Sequence, residues 1–182
     1  NSGDGADVLN QSAGADTYTF GAGVDHYNLG SLTMGTDTIT DFAVGNTGDV
    51  IDINTAAAAA TTDADGFGTM LIDGVGATTE IVDGFVIVDN GDTGTDNATG
   101  LTAAAIATYL GDIGGTTQVV KDAATATGYL AVSDGTDTAI IHYADGNADV
   151  TIDSGEITVL LVLSGIADAG TILTANIEGY AG

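Results

Sequence analysis

Asp7, Asp16 and Asp25 recur at a fixed step of nine residues near the start of the chain. Gly5, Gly14 and Gly23 keep the same step two residues ahead of them, and Leu9, Tyr18 and Tyr27 keep it two residues behind. A carboxylate at one fixed place in each turn, next to glycine, is oxygen-donor chemistry. Glycine permits positive φ and a tight turn that aims backbone carbonyls at a common centre, and the aspartate adds its own oxygens. Hard oxygen donors without Cys or His among them suit Ca2+, which accepts six to eight oxygens in flexible geometry. The competing reading, a flexible Gly/Asp-rich linker, gives no reason for the stretch to hold a period.

Read in register, residues 2–28 are three copies of one phrase: S-G-D-G-A-D-V-L-N, Q-S-A-G-A-D-T-Y-T and F-G-A-G-V-D-H-Y-N. The phrase resembles G-G-x-G-x-D-x-U-x, the calcium-binding nonapeptide of the RTX (repeat-in-toxin) family. It matches at the second Gly, the Asp and the apolar residue, and the first Gly pair is degraded. The apolar residue is expected to begin a short strand and face inward. Residues 29–34 interrupt the period, which resumes at G-T-D-T-I with Asp37, twelve residues after Asp25. The phrases D-T-I-T-D-F and G-D-V-I-D-I, a short Gly-containing gap apart, are similar to the segment that closes the β-roll in RTX proteins exported by type I secretion. The resemblance implies a parallel β-roll in which each pair of repeats makes one turn. Calcium would then lie between loops stacked on the same side, Asp7 sharing a site with the loop of Asp25, and Asp16 with that of Asp37. The candidate ligands in this part are Asp4, Gly5, Asp7, Gly14, Asp16, Gly23, Asp25, Asp37, Asp41, Asp49 and Asp52.

A second oxygen-rich constellation spans residues 145–156. It matches the twelve-residue EF-hand loop at Asp145, Asn147, Asp149, Asp153 and Glu156, with apolar Ile152 at the eighth position. Val150 replaces the glycine of the sharp turn, and both flanks read as strands rather than helices. The two readings are an EF-hand-type calcium loop in another fold and an acidic β-turn loop. The stretch from A-D-V-T-I-D-S-G-E to L-T-A-N-I is also similar to the C-terminal module of type I-secreted RTX proteins.

The elements that must hold these residues are mainly strands. Residues 79–89 read as one strand or a bent pair, rich in β-branched side chains. Strands are also expected at 118–120, 129–133, 137–143 and 158–163. The turn Asp134-Gly135-Thr136 implies a hairpin, and residues 159–163, an uninterrupted apolar run, imply a strand buried on both faces. One helix is expected at 101–110, N-capped by Thr102 and ended by Gly111. Residues 56–60, all alanine, read either as a helical turn or as packed coil. Residues 63–66 and 89–96 read either as acidic turns or as ligand loops. The expected architecture is mainly β: a parallel β-roll over 1–53, stacked on a β-rich, sandwich-like domain over 54–182.

Composition narrows the function classes. The formal net charge is −25 over 182 residues, and Lys121 is the only Lys or Arg. Internal salt bridges cannot offset that charge, so bound metal ions must, or self-repulsion loosens the fold. Nucleic acid is excluded as a partner, because phosphate contacts need Lys and Arg. The chain is nonetheless 44% hydrophobic, enough to bury a core. It contains no cysteine, so calcium rather than disulfides is the expected staple, and a calcium-rich extracellular or cell-surface setting fits. No stretch reaches the roughly 18 apolar residues of a membrane span. The opening residues lack a starting Met and the basic and apolar regions of a secretory signal. That reads as a processed chain, a fragment, or export by a signal elsewhere. No H-E-x-x-H or G-x-S-x-G motif occurs, and His26 and His142 are the only histidines, so no catalytic residue is assigned. Two functions follow. One is a calcium-dependent, self-assembling subunit of a surface layer or filament, polymerising through calcium bridges or β-edges. The other is the C-terminal export and folding module of a larger RTX enzyme or adhesin.

Overall fold

A computed structural model describes residues 1–53, 67–71, 78–81, 85–89, 97–111, 118–121, 127–144, 146 and 151–178. In chain order the first strands are β1 (Gly3–Asp4), β2 (Val8–Asn10), β3 (Thr17–Tyr18), β4 (Gly21–Ala22), β5 (His26–Leu29), β6 (Asp37–Ile39) and β7 (Val50–Ile53). They are followed by β8 (Phe67–Leu71), β9 (Thr78–Ile81), β10 (Phe85–Asp89), helix α1 (Ala103–Gly111) and β11 (Gln118–Lys121). The chain ends with β12 (Thr127–Ser133), β13 (Thr138–Ala144), β14 (Ile157–Leu163) and β15 (Ile177–Glu178). Among the described residues the fold is mostly β, with parallel sheets and one α-helix.

Residues nine apart fall on opposite sides of the chain's path, and residues about two repeats apart fall side by side. β2 therefore pairs with β5, parallel, with Leu9 opposite Tyr27. β5 pairs with β7, Tyr27 opposite Ile51, and β7 pairs with β15, Ile51 opposite Ile177. Facing this four-stranded parallel sheet, β3 pairs with β6 and β6 with β14, again parallel, placing Tyr18, Ile39 and Leu163 in one line. The inward residues of both lines meet in one core containing Tyr27, Leu29, Ile39, Ile51, Ile53, Leu161 and Leu163, all at 0% exposure. Each fully buried side chain of this size contributes about 1.5–3 kcal/mol.

The second line continues into a seven-stranded mixed sheet in the order β3-β6-β14-β13-β12-β10-β8. The β12–β13 hairpin turns at Asp134-Gly135-Thr136 as its sequence indicates, and the Asp134 carboxylate accepts the amides of Thr136 and Asp137, each at 3.0 Å. Alternation sends Tyr129 and Ala131 into the first core, and Leu130 and Val132 into a second one with α1. Thr102 caps α1, its hydroxyl accepting the Ala105 amide at 3.2 Å, and Ile106, Tyr109 and Leu110 are the buried face.

Three expectations change in detail. Residues 78–81 and 85–89 are separate strands in separate sheets: β9 pairs with β11, and β10 lies between β8 and β12. In β14 a bulge opposite Ile140 and Ile141 sends Leu160 and Leu161 into the same core, and Val162 is left half-buried. The sheets also cross the boundary expected at residue 53, through the β6–β14 and β7–β15 pairs. Residues 56–60, 63–66 and 90–96 lie outside the described residues.

Candidate metal centre

Stacking the repeats stacks their loops. Gly23 sits over Gly5 at φ +143°, and a Cβ added to it would lie 1.8 Å from the Gly5 carbonyl oxygen. Gly35 sits over Gly14 in the same way, its Cβ position 2.1 Å from that carbonyl. No side chain fits at either point, which explains the glycine two residues ahead of Asp25 and of Asp37.

The aspartates then form two stacks. In the first, the Asp7 amide donates to Asp25 Oδ1 at 2.8 Å, and the Asp25 amide donates to Asp49 Oδ1 at 3.0 Å. These partners are 18 and 24 residues apart. In the second, the Asp16 amide donates to Asp37 Oδ1 at 2.9 Å across 21 residues. The loop of Asp7 thus lies against that of Asp25, and the loop of Asp16 against that of Asp37. Extra residues in the later steps lengthen the loops without disturbing the carboxylate-to-amide bond.

Asp25, Asp37 and Asp49 are almost fully buried, at 0%, 0% and 2% exposure. Their surroundings differ. Asp49 Oδ2 accepts the Ala43 amide at 2.8 Å. Burial raises the Asp49 carboxyl above the usual carboxylate range, the two amides oppose the rise, and the charges of Asp25 and Asp41 add to it. Asp37 Oδ2 accepts the Tyr27 hydroxyl. Asp7 Oδ2 and Asp25 Oδ2 are buried with no hydrogen-bond partner.

That pair is the fit test for a cation. A buried carboxylate oxygen without donor or counter-charge is costly, and here two lie on adjacent loops that also carry glycine carbonyls. A hard divalent ion would supply the missing positive charge, and the donor set is oxygen alone. Among the described residues, no three His, Cys, Asp or Glu side chains gather in one metal-sized group. An ion held here would have to draw on backbone carbonyls as well as Asp7 and Asp25.

The remaining candidates fall elsewhere. Asp41 accepts the amides of Phe20 and Gly21, at 2.8 and 2.9 Å, and so acts as a backbone clamp. Asp4 is exposed on β1, and Asp52 is half-buried in β7 beside Asn28, not in a loop. Glu156 is buried and gathers its own loop: Oε1 accepts the Gly146 amide at 2.9 Å and Oε2 the Asp153 amide at 3.0 Å. Asp145, Asn147 and Asp149 lie outside the described residues.

Sequence reading passed over two residues of this region. The repeat register makes Tyr27 an inward apolar residue, and a tyrosine hydroxyl carried into a core needs a buried partner, which is the signal that marks it. Asn176 is at 0% exposure, and its side chain ties the Asp49 loop. Oδ1 accepts the Gly45 and Leu173 amides, and Nδ2 donates to the Gly45 and Asp49 carbonyls. No local pattern marks such a long-range contact. The chain matches no family model, no curated protein and no solved structure.

Proposed function

We propose that this is a calcium-binding extracellular structural protein that folds on calcium after export and self-assembles into a surface layer or filament. The two parallel ladders are read as an RTX-type β-roll stacked on a β-rich, sandwich-like part. The observation that carries the reading is the buried pair of unpartnered oxygens on Asp7 and Asp25, in a chain of net charge −25. With calcium scarce the stacked carboxylates repel and the coil is loose. At free calcium about ten times Kd, each bound ion adds about 1.4 kcal/mol, so a few ions match the stability of a small domain.

Assembly is supported by the first rung, meaning the β2 and β3 strands with their loops. Both are edge strands. Val8 is 62% exposed, and a Cβ on Gly5 or Gly14 would meet nothing within 4 Å. An uncovered parallel edge is a template for another strand. We propose a further copy of this chain as its partner, with calcium offsetting the charge of both. The same edge also fits preceding repeats of a longer chain, which is the export-module reading. The test is circular dichroism and particle size in excess chelator and then in millimolar calcium. Calcium-dependent folding with growth into large particles is the expected result. Folding to a monomer transfers the reading to the export module, and indifference to calcium overturns both.

A further inference from the structure

The two carboxylate stacks complete their second oxygens differently. On the first, Asp7 Oδ2 and Asp25 Oδ2 are buried without partners, and Asp25 lies between two other aspartates of the stack. On the second, Asp37 Oδ2 takes the Tyr27 hydroxyl, and Asp16 Oδ2 takes the Ser12 hydroxyl at 2.6 Å. Asp16 is also half-buried, so water shares its charge. The second stack thus contains two carboxylates with every buried oxygen satisfied, and the first contains three with two oxygens orphaned.

Tyr27 is built for this contact. It starts in β5, on the sheet opposite Asp37, and crosses the core with 0% exposure. Tyr18 packs edge-on against it, ring centroids 5.2 Å apart at 66°, fixing the direction of the ring. The Tyr18 hydroxyl points elsewhere, to the Asn10 carbonyl at 3.2 Å and to Ser12.

We propose that the Tyr27 hydroxyl stands in for a cation at Asp37, so that the second stack closes without an ion and calcium enters the coil on the first stack alone. This rests on the calcium reading above and divides the two sides of the coil. The Asp16–Asp37 side is a calcium-independent seam, and the Asp7–Asp25 side is the one that calcium closes.

The experiment counts calcium bound per full-length chain by equilibrium dialysis, in wild type, Asp25→Asn, Asp37→Asn and Tyr27→Phe. Asp25→Asn is expected to lose an ion and Asp37→Asn to keep the wild-type count. Tyr27→Phe orphans Asp37 Oδ2, turning the second stack into the first kind. That variant is expected to gain an ion and to show a steeper dependence of melting temperature on calcium. Asp37→Asn losing as many ions as Asp25→Asn overturns the inference while leaving calcium binding intact. So does Tyr27→Phe with unchanged count and calcium dependence, which decides the matter should Asp37→Asn fail to fold. A wild-type chain that binds no calcium overturns the inference together with the reading beneath it.

Discussion

Leu9, Tyr27 and Ile51 occupy one line across the four-stranded sheet. Leu9 is half-buried, whereas Tyr27 and Ile51 are at 0% exposure. The facing line repeats the contrast, with Tyr18 half-buried and Ile39 at 0%. Gly5 has open space where Gly23 has a carbonyl. Asp25 accepts an amide from the rung before it, and among the described residues no amide donates to the Asp7 carboxylate. The first rung and the second come from the same phrase, so these differences lie in what covers them. A repeat specifies a template, and its energy comes from the neighbour that stacks on it.

The comparison breaks first at the glycines. Gly23→Ala drives a methyl into the Gly5 carbonyl at positive φ and should cost about 4 kcal/mol. Gly5→Ala meets only the φ penalty, about 1 kcal/mol. Urea melts of both variants in saturating calcium check this, and equal losses would mean that the loops do not stack. Next are the apolar lines. Ile51→Ala should cost about 3 kcal/mol and Leu9→Ala about 1 kcal/mol. If the chain assembles through its first rung, the Leu9 cost should rise in the assembled state and approach that of Ile51.

Acid then separates the coil from the large sheet by sign. His142 is buried beside Tyr129, and burial lowers its pKa to about 4. A depressed pKa means that the unfolded chain binds the proton first. The stability it confers is present above the ordinary value of 6.5 and falls as pH drops from there to about 4, by about 3 kcal/mol. His142→Gln should flatten that slope, and an unchanged slope would remove the assignment. Asp49 has the smallest expected effect and the opposite sign. Its pKa is raised above 3.8, so its charged form opposes folding at neutral pH, and the penalty lifts as pH falls through the folded value. In chelator, wild type should therefore gain melting temperature relative to Asp49→Asn on acidification. Calcium at neutral pH should bring the same gain, since a proton and a cation answer the same buried charge. A difference that stays flat with pH would refute this.

What the sequence made readable was local. The nonapeptide register marks Asp7, Asp16 and Asp25 as equivalent positions, and the pairing of Asp7 with Asp25 and of Asp16 with Asp37 is what the resemblance to the RTX repeat implies. Thr102 marks the start of the helix, and Asp134-Gly135 the hairpin turn. What escaped is long-range. No periodicity says that β6 pairs with β14, that β9 and β10 part into different sheets, or that the Asn176 amide ties the loop around Asp49. The Tyr27 hydroxyl escaped for a different reason: its position in the repeat calls for an apolar residue, and tyrosine satisfies that rule with its ring while its oxygen serves another residue across the core.

The β7–β15 and β6–β14 pairs also set a timetable. Ile51 waits for Ile177, and the Thr36 hydroxyl waits for the Val159 carbonyl, 123 residues later. Contacts this distant in sequence slow folding, because the loop entropy is lost before the contact forms. During synthesis the acidic coil is complete long before the strands that clamp it exist, and its first 53 residues must stay unclamped until residues 161–178 have been made.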